Sequence, residues 1–205
     1  MSEELPNSDL RFANDPSAYF SDPNHAQLLV AEALACQGTP FSEGACARGS
    51  GFDCVSFVEH CMAVAGLPQF RFPRAEFDYR PHVHNDKILD YLRGRYQLIG
   101  LDGQSSIEPQ SADLAAIFAE LNLEETLPAP DWPNDYETGL MVGDLLVMRG
   151  KVGIWHLPFM LDSRQFIHCA WPGGVTQPTD IMPPNYRTAV KAIFRASAVA
   201  LHASV

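Results

Sequence analysis

The sequence predicts an α+β protein in which N-terminal helices precede a C-terminal antiparallel sheet. Apolar residues recur at helical spacing between Asn24 and Cys36, and again from Asp53 to Ala65. Apolar, aromatic and β-branched stretches then fill Gly143 to Met148, Val152 to Leu161, Phe166 to Ala170 and Ala192 to Ala198. Helices grouped ahead of strands, instead of alternating with them, give an α+β arrangement and not a parallel sheet.

Residues 1 to 23 are polar and contain proline, as expected of an arm lying on the surface. The first helix, about Asn24 to Cys36, is closed by Gly38, and Leu28, Ala31, Leu34 and Ala35 mark much of its apolar face. A Gly-rich loop follows from Gly38 to Gly51. The second helix begins at or just after Asp53, runs through Cys54, Phe57, Val58, Cys61 and Met62, and stops at Gly66 with Pro68 beyond. An Asp at the cap position and a terminal Gly are good start and stop signals. From about Gln69 to Glu137 the character changes: 86–96 and 111–121 read as helices, and Leu127 to Pro133 is a Pro-rich loop. There is no internal repeat and no low-complexity tract. A length of 205 residues fits a single domain spanning residues 1–205 that can bury a substantial core.

Hydrophobic residues make up 46% and charged residues 19%, a globular profile. The formal net charge of −11 disfavours nucleic acid and anionic membrane as partners, since both need a positive stripe. The N-terminus, Met1-Ser2-Glu3-Glu4, carries acidic residues where a signal peptide has positive ones, and no 18-residue apolar stretch occurs. Five cysteines without a paired framework fit a reducing compartment. The expectation is a cytoplasmic protein, with delivery to the cell wall by phage or a secretion machine left open. Oligomeric state is not fixed by the sequence.

Cys54 is the chemically distinctive thiol. At the first turn of a helix, unpaired N–H groups and the helix dipole favour negative charge. The preceding Gly49-Ser50-Gly51 lets a substrate backbone approach closely. Cys36, Cys61 and Cys169 read as core, while Cys46 sits in the loop, eight residues before Cys54.

A thiol nucleophile needs an imidazole and a third polar group to orient it. His25, His60 and His202 lie on or near helices and read as exposed. His82 and His84 form a His-x-His pair without a third metal ligand. His156 and His168 are different, since both lie in apolar strands that read as a hairpin. They share a face only if the connecting loop has an odd number of residues. A three-residue loop, Asp162 to Arg164, sets His168 opposite Pro158, two residues from His156 on the same face.

Together these segments resemble the NlpC-type cell-wall peptidases, a papain-like group. The nucleophile signature is matched by Gly51-Phe52-Asp53-Cys54-Val55-Ser56-Phe57-Val58, the entry segment by Gly38-Thr39-Pro40-Phe41, and the strand opening by Gly143-Asp144-Leu145-Leu146-Val147. The family's base and third residue lie twelve positions apart, as do His156 and His168 in Phe166-Ile167-His168-Cys169. The ending Ala192-Ile193-Phe194-Arg195 is most similar to a phage-associated branch. The matches cover about 36–66 and 140–198.

The resemblance implies a papain-like fold, with Cys54 as nucleophile, His156 as general base and His168 as orienting residue. It also implies substrate contacts from Phe41, Asp53, Val55, Ser56 and Trp155, with no metal or cofactor. The implied substrate is a peptide or cell-wall fragment, such as a stem peptide cut between D-glutamate and diaminopimelate. The 102 positions from Cys54 to His156 make about 69–137 an insertion, read as a cap over the cleft. Phe41 stands where many members have Tyr, and Leu157-Pro158 where Val-Gly is frequent, departures that bear on substrate more than on chemistry. Alternatives are an acyl or peptidyl transferase or deacylase on the same scaffold, and a non-catalytic phage-tail or binding module.

Overall fold

The computed structural model describes residues 17–67, 91–92, 96–99, 140–149, 155–187 and 189–197, with backbone alone at 98, 99, 149, 155, 184 and 187. The expected helix at 111–121, the Pro-rich loop, His82, His84 and His202 lie outside these residues, as does most of 69–137.

Helix α1 spans Pro23–Ala35, with the Asp22 carboxylate accepting a hydrogen bond from Asn24 N. It buries Ala26, Leu29 and Ala33. Leu28 and Leu34, expected on its apolar face, are 49% and 40% exposed. Ala and Leu surround this helix, so spacing alone does not single out the inward stripe. The two-stranded ribbon β1 (Cys46–Ala47) and β2 (Gly51–Phe52) leads into helix α2, Cys54–Val64.

The main sheet is antiparallel. It comprises β3 (Gln97–Ile99), β4 (Leu145–Arg149), β5 (Trp155–His156), β6 (Phe159–Met160), β7 (Gln165–Ile167), β10 (Thr179–Asp180) and β11 (Val190–Arg195). The order is β10-β7-β6-β4-β11-β3, with β5 also on β4. A separate ribbon joins β8 (Cys169–Ala170) to β9 (Gly174–Val175). The α+β class read from the sequence is the one observed.

Both faces of the sheet are covered, which explains why Leu145-Leu146-Val147-Met148 reads as an unbroken apolar run. Leu145 and Val147 join Phe57, Leu29, Phe159 and Phe194 in one cluster, whereas Leu146 and Met148 join Met160, Phe166 and Ile193 in another. The alternation follows the strand period of two.

Two sequence expectations are corrected. The end of the N-terminal arm is not superficial: Tyr19 N donates to Ala196 O at 2.8 Å, and Phe20 is 2% exposed. Its ring fills the space beside Gly143, where a Cβ would stand 2.1 Å from it. Residues 97–99, within the segment read as a cap, instead pair with β11 as an edge of the sheet. Of the helix expected at 86–96, Tyr91 and Leu92 are helical and buried.

One buried ion pair ties the start of β4 to the end of β11. Arg195 Nε and Nη2 donate to Asp144 Oδ1 and Oδ2, both at 2.8 Å, and Met141 N also donates to Oδ2. The two sequence segments Gly143-Asp144-Leu145 and Ile193-Phe194-Arg195 are therefore halves of one contact. Asp144→Ala removes both carboxylate oxygens from the buried Arg195 guanidinium, and urea denaturation is expected to show a loss of about 3–5 kcal/mol.

Candidate active site

The start of α2 is fixed by Asp53. Its Oδ1 accepts from Val55 N at 3.0 Å and Ser56 N at 2.7 Å, and Oδ2 accepts from Gly44 N at 3.0 Å. Ser56 Oγ returns a bond from Asp53 N at 2.9 Å, completing a capping box. With Phe57 N donating to Asp53 O, the N–H of Cys54 is left to its own thiol.

The loop ahead of this cap is held from β9. Gly38 N donates to Val175 O and Val175 N to Thr39 O, at 3.0 and 2.9 Å. Gly174 is required there, since it has φ +76° and an added Cβ would stand 2.1 Å from Thr39 O. Phe41, half-buried, bridges to Phe52 and packs on the core.

The histidines are set by the β6–β7 hairpin. Phe159 pairs with Ile167 and Met160 with Phe166, and Leu161 N donates to Gln165 O, leaving the three-residue turn Asp162 to Arg164. Asp162 Oδ1 accepts from Arg164 N and Gln165 N, both at 2.6 Å, so its side chain closes the turn. Continued by one residue past Phe159–Ile167, this register places His168 opposite Pro158. The rings of His156 and His168 meet edge to face with centroids 4.7 Å apart, and His156 Nε2 lies 2.5 Å from His168 Nδ1.

Beyond Pro158 the ladder splits. Pro158 turns its carbonyl to β4, accepting from Leu146 N at 2.9 Å, so the N–H of Leu157 points to the opposite side. The strand that would have met it leaves the sheet at His168, whose carbonyl accepts from Thr176 N at 3.0 Å, and continues as β8. The Leu157 N–H hydrogen-bonds to the Cys54 thiol. Cys169, fully buried, donates from Sγ to Phe52 O at 3.1 Å and holds the approach to α2 against β8.

The structure thus pairs His156 with His168 and sets Cys54, at the first residue of α2, beside the backbone of Leu157, the residue that follows His156. It does not expose the side chains of Asp53, Val55 and Ser56, which are each 1% exposed. Val55 packs in the core, and the polar atoms of Asp53 and Ser56 are used by the cap. These three residues shape the site from within and do not touch substrate through their side chains. The side chain of Trp155 lies outside the described residues. Sequence reading missed Cys169 and Leu157, whose contributions are a thiol donor and a backbone N–H.

Burial dominates the electrostatics. It pushes the Cys54 thiol up to about 12, aided by the Asp53 carboxylate, against hydrogen bonds from Leu157, Cys54 and Val55 N–H. The expected easy ionisation at a helix start is therefore overridden: Cys54 as a residue is half-buried, but protein crowds its thiol. Burial also pulls His156 down to about 3, with the neighbouring His168 adding to it, and His168 to about 4. At neutral pH the resting site holds a neutral thiol and two neutral imidazoles.

No family model matches the chain, and no curated protein sequence matches it. Solved structures do. A protein of the NLP/P60 family from Staphylococcus aureus subsp. aureus Mu50, described as similar to lipoprotein, shares 18% identity at a TM-score of 0.50, covering 89% of this chain and 45% of its own. An NlpC/P60 family protein from Bacillus cereus ATCC 10987 shares 18% identity at a TM-score of 0.45, covering 84% and 40%. The NlpC/p60 domain of the peptidoglycan hydrolase SagA shares 19% at 0.42, covering 82% and 97%. The fold is that of the NlpC/P60 proteins. At this identity the likeness speaks for the fold alone, and the chain spans less than half the length of the first two structures.

Depressed histidines make stability fall in acid. Above about 6.5 both unfolded and folded histidines are neutral; below it the unfolded chain takes up protons that His156 and His168 refuse until about 3 and 4. Urea midpoints are expected to drop steadily from pH 6.5 towards 4, and a His156→Gln/His168→Asn variant to flatten that slope.

Proposed function

We propose that the chain is a cysteine hydrolase that cleaves an amide bond, with Cys54 as nucleophile, His156 as general base and His168 as the residue that orients His156. The observation that supports this most strongly is the hydrogen-bonded pair His156–His168, whose His156 is followed by Leu157, the residue whose N–H reaches the Cys54 thiol at the first residue of α2.

His156 uses Nε2 towards His168 Nδ1, which leaves Nδ1 to accept the thiol proton. In this reading Nε2 carries the ring proton and donates it to His168. Attack then proceeds from the neutral pair. Sγ forms its bond to the carbonyl carbon as its proton passes to His156, and the oxyanion is met by the N–H of Cys54. The imidazolium returns the proton to the leaving amine as the C–N bond breaks, giving a thioester. Water, deprotonated by His156, hydrolyses it and restores the thiol. His168 stabilises the transient positive charge and holds the ring in plane.

Peptidoglycan stem peptide of the D-glutamyl-diaminopimelate type is the substrate we infer. The motif resemblance around Cys54, His156 and Phe166-Ile167-His168 supports that choice. Transfer of the thioester to an amine uses the same site, and products formed with an added amine distinguish it from hydrolysis.

Cys54→Ala is expected to abolish cleavage of muropeptides with an unchanged melting temperature, and undiminished cleavage contradicts the reading. His168→Ala is expected to lower kcat by at least about tenfold with a smaller effect on KM. Because the resting thiol is neutral, iodoacetamide labelling of Cys54 is expected to keep rising with pH beyond 9, towards the raised value of about 12. A rate already saturated at neutral pH contradicts a neutral resting pair.

A further inference from the structure

A second cluster of ligating side chains lies between the helices. Glu32 and Cys36 are four residues apart on α1 and present to the same side. His60 comes from α2. His60 Nε2 is 2.8 Å from Glu32 Oε1, and Cys36 Sγ is 3.5 Å from that oxygen. The three ligand atoms lie within 4.8 Å of one another. Neither histidine of the helices is therefore a free surface residue: His25 stacks on Tyr19 at 4.4 Å, and His60 faces this group.

We propose that Glu32, Cys36 and His60 bind one divalent zinc ion, which clamps α1 to the nucleophile helix α2. One thiolate, one imidazole and one carboxylate form a borderline-soft set suited to zinc. The spacing fits as well. In a tetrahedral site with Zn–O near 2.0 Å and Zn–S near 2.3 Å, oxygen and sulfur are about 3.5 Å apart, and oxygen and nitrogen about 3.3 Å. The first distance is already present, and the second requires His60 to withdraw by roughly 0.5 Å.

Burial grades the site from inside outward. Cys36 is fully buried, while the side chains of His60 and Glu32 keep 27% and 17% exposure. An ion therefore has a way in from the side of His60 and Glu32. Behind Cys36 stands Cys61, whose thiol hydrogen-bonds to it. This contact orients the Cys36 side chain from the protein side. Among the described residues Arg48 is the opposing charge here, with Nη1 3.4 and 3.5 Å from the two Glu32 oxygens. Its side chain is 53% exposed and the contact is long, so displacing it costs little.

Binding is balanced by one proton. Cys36 gives its thiol proton to solvent as the Zn–S bond forms, the His60 ring proton that faces Glu32 from Nε2 is exchanged to Nδ1 so that Nε2 can bind, and Glu32 binds as the carboxylate. The Glu32 carboxyl is suited to this: burial opposes its charge, but hydrogen bonds from His60 and Cys36 and the Arg48 guanidinium hold it below the usual range.

The test uses the full chain carrying Cys54→Ala, which removes the thiol of the other Cys/His group and makes the result independent of catalysis. Titration with Zn²⁺ against a chromophoric chelator is expected to show one equivalent bound, with a rise in melting temperature. Co²⁺ is expected to give tetrahedral d–d bands and a thiolate charge-transfer band. Adding Cys36→Ser or His60→Gln is expected to weaken Zn²⁺ binding by at least about 100-fold. Glu32→Gln, at a partly exposed position, is expected to do the same without loss of fold. Failure of the Cys54→Ala chain to bind Zn²⁺, or equal binding after Cys36→Ser and His60→Gln, overturns the proposal.

Discussion

The site depends on the register of the hairpin β6–β7. A strand presents alternate residues to opposite faces, so adding or removing one residue in the connecting turn reverses the face of everything beyond it. The turn Asp162-Ser163-Arg164 is closed by the Asp162 carboxylate on two backbone N–H groups, which fixes its length. Its odd count is what lets His168 reach the ring of His156. Pro158 adds the second half of the constraint. Its carbonyl faces β4, so the Leu157 N–H faces the other side, where β8 has left the sheet and the Cys54 thiol accepts it.

The helix side of the cleft obeys a separate rule. A helix that begins in the interior must have its first N–H groups satisfied. Asp53 does this for Val55 and Ser56 while gripping Gly44 of the incoming loop. One buried carboxylate therefore sets both the loop path and the position of the next residue, Cys54. It also raises the thiol's resistance to ionisation. Preorganisation of the backbone is gained at the expense of a resting thiolate, and the neutral imidazole of His156 becomes the natural proton acceptor.

Much of this was legible in the sequence because the signals are local. An Asp before an apolar 3.6-residue pattern marks a capped helix, and both expected helix starts agree with the structure to within a residue. The turn residues Asp162 to Arg164 offer a three-residue turn, and the strand pairing fixes that length. What was not legible is long-range. The inward face of α1 is chosen by what packs against it, so Leu28 and Leu34 misled. The strand at 97–99 joins the sheet only through β11, and nothing in its neighbourhood announces that. Asp53, Val55 and Ser56 follow the nucleophile motif so closely that they resemble substrate contacts, yet their side chains are spent on the cap. The pairing of His60 with Glu32 and Cys36 spans two helices, and no spacing along the chain encodes it.

The most direct measurement is a crystal structure of the chain with a peptide aldehyde bound to Cys54. The expected structure has a hemithioacetal on Sγ, its oxygen met by Cys54 N–H, and the Nδ1 of His156 within about 3–3.5 Å of the adduct with His168 on Nε2. An adduct on Cys54 with the His156 ring turned away from it, or with the hairpin in a register that separates the two histidines, contradicts the proposed catalytic arrangement.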